Sequence, residues 1–343
     1  MKTTQPNNEQ ARNRRGVLVI FIFVILIIAT FIISMNTGYT RLTPIQVLKT
    51  LFGAGDAKQS LILFDFRLPR IVISILVGVG LAVSGCILQG LSRNALADPG
   101  ILGINAGAGL MVMLFISFFP STTAAPIFLL PFLALFGAGL TAALIYTLSF
   151  KRHEGISPIR LLLVGIAVAA GISAVTIVLT LRLDPENYQF VANWMAGSIW
   201  GSNWKFVLAL LPWIVVLLPY VIMKARVLNV LNLGDQMATG LGTPVEKERV
   251  LLLAAAVGLA GSCVAVSGGI GFVGLVAPHL ARRLVGPKHQ LLLPTSALAG
   301  ALLLVVADTV ARVVVQPSEI PTGIVVAVLG APYFLYLLAR SKA

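Results

Sequence analysis

From residue 17 onward the chain alternates long apolar runs with short polar connectors, and each run is long enough, or nearly so, to cross a bilayer core as a helix. The runs lie near 17–35, 71–91, 101–119, 127–149, 161–181, 206–223, 250–267, 270–284, 291–311 and 323–339, and a helix is predicted for each. The eighth is short and holds Pro278, His279, Arg282 and Arg283, which predicts a broken or partly buried segment. Two connectors, Asn36–Arg70 and Arg182–Lys205, are too long for simple turns. The second contains Tyr188-Gln-Phe-Val-Ala-Asn-Trp-Met-Ala-Gly, whose aromatic face predicts a short interfacial helix, as a surface anchor or as a ligand contact.

Composition turns this pattern into a membrane protein. With 58% hydrophobic and 11% charged residues, the 343-residue chain carries more apolar side chain than a soluble domain could bury, and the excess must face lipid. The predicted fold class is all-α integral membrane, with a cytoplasmic tail over 1–16 and one polytopic domain over 17–343. The first run follows Arg12, Arg14 and Arg15 like a secretory leader, but it is too long and lacks a small-residue cleavage site, so a retained helix is predicted. Cys86 and Cys263 lie in apolar runs beside small residues and imply neither a disulfide framework nor a thiolate metal site. A formal charge of +13 would suggest nucleic acid in a soluble protein; here the position of the charges matters instead. If the N-terminus is cytoplasmic, 17 of the 25 Lys and Arg fall in inside segments, which places both termini in the cytoplasm with no nucleic-acid partner.

The same inventory bears on the energy source. Eleven of the twelve acids are expected in loops; Asp308 alone approaches an intramembrane carboxylate, and Arg312 one turn beyond predicts an i,i+4 ion pair near the outer edge. The sequence has no G-x-x-x-x-G-K-[ST] and no Gly-Lys pair, so the chain cannot hydrolyse ATP by a phosphate loop. H-E-x-x-H and G-x-S-x-G are absent and His153, His279 and His289 are scattered, which disfavours an enzyme. An ion-coupled secondary carrier and an intramembrane enzyme stay open as alternatives. The glycines concentrate in the helices, where small residues let backbones approach closely. Val79-Gly-Leu-Ala-Val-Ser-Gly-Cys86 is echoed by Val257-Gly-Leu-Ala-Gly-Ser-Cys263 in helices expected to run in opposite directions, the pattern of an inverted repeat.

Several blocks then follow in a fixed order: Arg67-Leu-Pro-Arg70; Gly85-Cys-Ile-Leu-Gln89; Arg93-Asn94-Ala-Leu-Ala-Asp-Pro99-Gly-Ile-Leu-Gly103; Trp194-Met-Ala-Gly197-Ser; Leu233-Gly234-Asp-Gln-Met-Ala238-Thr-Gly-Leu-Gly242; Gly271-Phe-Val-Gly-Leu-Val-Ala-Pro278-His279-Leu-Ala-Arg282; Asp308-Thr-Val-Ala-Arg312; Glu319-Ile-Pro321-Thr-Gly323; and Gly330-Ala-Pro332. From about residue 60 to the C-terminus this resembles the FecCD family, the permeases of iron-siderophore, haem and vitamin B12 ABC importers, most of all those for hydroxamate-type ferric siderophores. Ala95 departs from the proline usual in the family.

The resemblance implies ten helices in a type II ABC importer permease. It also implies a second permease subunit, identical or related, an ABC ATPase dimer that consumes ATP and Mg, and an extracytoplasmic substrate-binding protein. No cofactor or metal belongs to the chain itself. Arg67, Arg70 and Arg312 fall at outer helix ends, and the matching arginines of the similar vitamin B12 permease accept glutamates of the binding protein, a task that suits a guanidinium fork. Over 228–244 the resemblance implies a short coupling helix for the ATPase, built from Leu231, Leu233, Gly234, Asp235, Ala238, Gly240, Leu241 and Gly242, with Asp235 as N-cap and Gly240 or Gly242 as the stop. The cytoplasmic gate maps to Ser157, Pro158 and Ile159, which depart from the family's small hydroxyl pattern. The cargo implied is a ferric siderophore, with haem and cobalamin as alternatives; a chelate already saturated with ligands needs a wide passage and no iron ligands from the protein.

Overall fold

A computed structural model describes residues 6–38, 40, 42–100, 103–119, 129–151, 155–315 and 318–340. The first apolar run becomes α1 (Pro6–Asn36), a helix that leaves most of its surface outside the bundle, as a lipid-facing span should. The connector after it is largely helical. Thr43 and Gln46 form a capping box that starts α2 (Pro44–Leu51), and α3 (Ala57–Ser60) passes through a π-helical turn, Leu61–Arg67, directly into α4 (Leu68–Ser92). The second apolar run was expected to start at 71, and the helical path reaches back to 57. Pro69 sits where the π-helical turn passes into α4; its missing N–H removes one bond of the ladder there, and it marks a change of helix type and not an end.

Next come α5 (Ile104–Phe118) and α6 (Leu129–Ser149), then a small antiparallel hairpin of β1 (Phe150–Lys151) and β2 (Gly155–Ile156). They are followed by α7 (Pro158–Thr180), the short α8 (Pro185–Met195) and α9 (Trp204–Met223). Two short helices, α10 (Ala225–Asn232) and α11 (Asp235–Gly240), precede α12 (Val245–Ser267), α13 (Val273–Val285), α14 (His289–Val314) and α15 (Thr322–Arg340). Each of the ten predicted runs thus has its helix. Among the described residues seven stretches are long and apolar enough to span a membrane, while α5, α13 and α15 are shorter. The eighth run is broken as expected: Phe272, at φ 66°, precedes a helix of 13 residues. Glu246 and Glu248, expected in a loop, lie in the first turn of α12, where carboxylates suit the helix dipole.

The core centres on α4, which packs on α14, α12 and α13; 83% of its most apolar stretch is buried, against 11% for α1. Small residues make this possible. A Cβ on Gly85 would fall 1.9 Å from the carbonyl oxygen of Gly274, so α4 and α13 meet backbone to backbone. The two echoed segments face one another: a Cβ on Gly80 would lie 2.3 Å from Cys263 Sγ, and Ser84 donates to the Ala256 carbonyl at 2.7 Å. Advancing along one segment means retreating along the other, so these helices are antiparallel. Both cysteines are buried and free.

Candidate functional site

Two charged clusters stand at opposite ends of α4. At the end marked by α4's first turn, Arg70 lies one helical turn past Arg67, and Asp308 and Arg312 are one turn apart on α14. The Arg70 guanidinium grips Asp308, with Nε 2.9 Å from Oδ1, and its Nη1 reaches Glu319 Oε2 at 2.7 Å. Arg312 Nε lies 3.3 Å from Asp308 Oδ2, and its Nη2 donates to Ser34 on α1. Thr322, the first residue of α15, donates to Asp308 Oδ1 at 3.2 Å. Arg67 donates to the carbonyls of Met35 and Thr40 and has no carboxylate partner among the described residues. The three arginines expected at the outer face therefore do come together, but they are buried and held by intramolecular partners. The i,i+4 pair of Asp308 and Arg312 is present, and Arg70 shares it. Glu319 is the member that reaches the surface, with 31% of its side chain exposed. It also lines a cavity of about 340 Å³ at this end of the bundle with Asn193, Ser198, Trp200 and Ser318.

The Trp194–Ser198 block meets this end of the bundle. Ser198 donates its backbone N–H to Ser267 at the end of α12, and Gly323 at the start of α15 donates to Gly197. The helix predicted in this connector is α8, capped by Asp184 through the Asn187 N–H. Three sequence blocks far apart in the chain are thus joined at one mouth.

At the other end of α4 lies the predicted coupling segment. Gly234, at φ 111° and ψ 155°, is the residue that precedes α11, which displaces Asp235 from the expected N-cap position into the first turn. The Asp235 side chain turns toward the bundle: both carboxylate oxygens lie 2.9 Å from Arg249 Nη2, and Arg93 Nη2 donates to Oδ1. Burial raises its pKa, but Arg249 and Arg93 outweigh that and hold the carboxyl below its ordinary range. The stop is Gly242, not Gly240: Thr243 N–H bonds the Ala238 carbonyl and Gly242, at φ 79°, bonds that of Thr239, a Schellman closure that needs a left-handed residue. Leu231 and Ala238 are buried, whereas Leu233 and Leu241 are exposed. Met237 is exposed between them and was not predicted; the i,i+4 spacing of Leu233, Met237 and Leu241 is the signal that could have found it.

Of the suggested gate residues, Ser157 precedes α7 in extended conformation without a side-chain capping bond, Pro158 is the first helical residue, and Ile159 is 71% exposed. They stand side by side at the start of α7.

A helical bundle of apolar spans with a charged knot at each end of its central helix is the architecture of a polytopic membrane protein. The model of the FecCD transport family matches residues 25–340, and the chain belongs to that family. It is 53% identical over 337 residues to the iron(3+)-hydroxamate import system permease protein FhuG of Bacillus subtilis, covering 97% of this chain and 100% of that one. The hemin transport system permease protein HmuU of Yersinia pestis is 40% identical, covering 95% and 96% of the two chains. A solved structure described as a metal-chelate type ABC transporter in an inward-facing conformation matches with a TM-score of 0.83 at 33% identity, covering 94% of this chain and 99% of that one.

Proposed function

We propose that this chain is the permease subunit of an ATP-binding cassette importer that carries a ferric siderophore of the hydroxamate class across the cytoplasmic membrane. The observation that carries this reading is the end-to-end likeness, at 53% identity, to a permease for iron(3+)-hydroxamate. The resemblance to a hemin permease makes haem the second reading. Two permease chains would flank the pathway, with Ile159 at the start of α7 as part of its inner gate. An ATPase dimer, which uses ATP and Mg, would seat against the exposed stripe of Leu233, Met237 and Leu241. An extracytoplasmic binding protein would approach the end bearing Glu319 and the arginine cluster, leaving both termini in the cytoplasm. Arg67 brings a positive charge that no carboxylate among the described residues pairs with, which favours an acidic partner.

The deciding experiment is uptake of radiolabelled ferric hydroxamate, ferric citrate and haem by a strain lacking the chromosomal gene, with and without the chain on a plasmid. Restored hydroxamate uptake alone is the expected result. Restoration of haem uptake alone would move the assignment to the second reading, and accumulation by the purified chain in vesicles under an ion gradient, without an ATPase, would overturn it.

A further inference from the structure

α11 has six residues, too few to hold a fixed attitude by helix propensity, so its orientation must be set by what ties it down. Ala238 supplies a buried contact, and the charged tie is Asp235. That carboxylate is shared between two different membrane helices. Arg249, in the second turn of α12 and only 4% exposed, grips both oxygens and also contacts Glu246 at 3.2 Å. Arg93, the residue that ends α4, reaches the same carboxylate and also the Leu231 carbonyl of α10 at 3.3 Å.

The backbone at Arg93 makes the arrangement more telling. Its φ of 51° and ψ of 27° are left-handed, a conformation that costs a non-glycine residue about 1 kcal/mol or more. The conformation ends α4 with the guanidinium at α10 and α11. α4 itself is 25 residues, roughly 37 Å, and its first turn carries Arg70 in the cluster with Asp308 and Glu319. One buried rod is thus ion-paired to the outer mouth at one end and to α11 at the other.

We infer that Asp235 is a positioning residue, a strut through which movement of the coupling helix reaches α4 and α12. This rests on the reading that the outer stripe of α11 seats on the ATPase. The stripe receives the push, whereas Asp235, half-exposed but tied to Arg249 and Arg93, passes it on. Asparagine at 235 keeps the shape and loses the charge that makes the two arginine bonds strong.

The test uses the complete importer, with permeases, ATPase and binding protein, reconstituted in liposomes. D235N should co-purify the ATPase at the normal ratio and hydrolyse ATP within about twofold of wild type, while cargo moved per ATP falls about tenfold or more, as expected for losing a charge-assisted bond. D235E should restore most of that ratio. R93Q, at a half-exposed side chain, removes the α4 arm while leaving Arg249 in place, so it tests the strut even if D235N folds poorly. Normal cargo per ATP in R93Q, or in a well-folded D235N, would overturn the strut, as would loss of ATPase binding by D235N. M237D separates the two ideas: it should abolish ATPase co-purification, and an intact complex would overturn the seating reading, and the strut with it, whatever D235N does.

Discussion

Replacing Asp308 by alanine removes a buried carboxylate that two buried arginines share. Asp308 is 1% exposed; Arg70 Nε and Nη2 each lie 2.9 Å from Oδ1, and Arg312 Nε lies 3.3 Å from Oδ2. Without it Arg70 keeps Glu319, but the buried carboxylate between the two guanidinium groups is gone and they push on each other; breaking a buried pair in this way costs about 3–5 kcal/mol. The reverse deletion is milder, because in R70A the carboxylate keeps Arg312 and Thr322. E319Q should be milder still, under about 1 kcal/mol, because its partly exposed pair with Arg70 is screened by water. The assay is thermal unfolding of the purified chain in detergent at pH 7.5, ranking D308A, R70A and E319Q against wild type. D308A no less stable than E319Q would refute the reasoning, since it would mean that Asp308 is not what holds the two arginines in the bundle.

Three further outcomes can be checked on the same preparation. Burial pushes the Asp98 carboxyl from 3.8 up to about 6, partly offset by the Gly100 N–H at 2.8 Å. A raised carboxyl binds its proton more tightly when folded, so its contribution to stability is lost as pH rises from about 4 through 6; D98N should remove that slope and be the more stable protein at pH 7.5, and parallel stability curves for the two would count against it. G85A should cost about 1–3 kcal/mol or prevent folding, since the added methyl would sit 1.9 Å from a backbone oxygen that no rotamer change can move; wild-type melting would show that α4 and α13 are looser than described. R67Q should weaken capture of the extracytoplasmic binding protein in a salt-sensitive way, and unchanged binding at low and high salt would remove Arg67 from docking.

What the sequence disclosed and what it hid follow from the range of each interaction. Ten apolar runs specified ten helices because a bilayer demands length and apolarity locally, and the eighth showed its irregularity through its shortness and its Pro278, His279, Arg282 and Arg283, although the break falls at Phe272 and the helix runs through Pro278. The helix before residue 71 escaped notice because Asp65, Arg67 and Pro69 interrupt the apolar run, although a π-helical turn accommodates them. Asp308 and Arg312 were readable as a pair one turn apart. Arg70 with Asp308, and Asp235 with Arg249 and Arg93, were not, because partners 238, 14 and 142 residues away are set by tertiary approach.

The same distinction explains why the arginines read as docking groups yet lie buried. A charge beside lipid must be neutralised or hydrogen-bonded within the chain before any partner arrives. Asp308 and Glu319 neutralise two of the three arginines, and Arg67 is satisfied by carbonyls that carry no net charge. The cluster therefore keeps about one positive charge at this end of α4, and its exposed acid, Glu319, already occupies Arg70. An acidic partner docking here as proposed would be drawn by the excess charge and would compete with Glu319 for the guanidinium, an exchange of carboxylates on an arginine already in place.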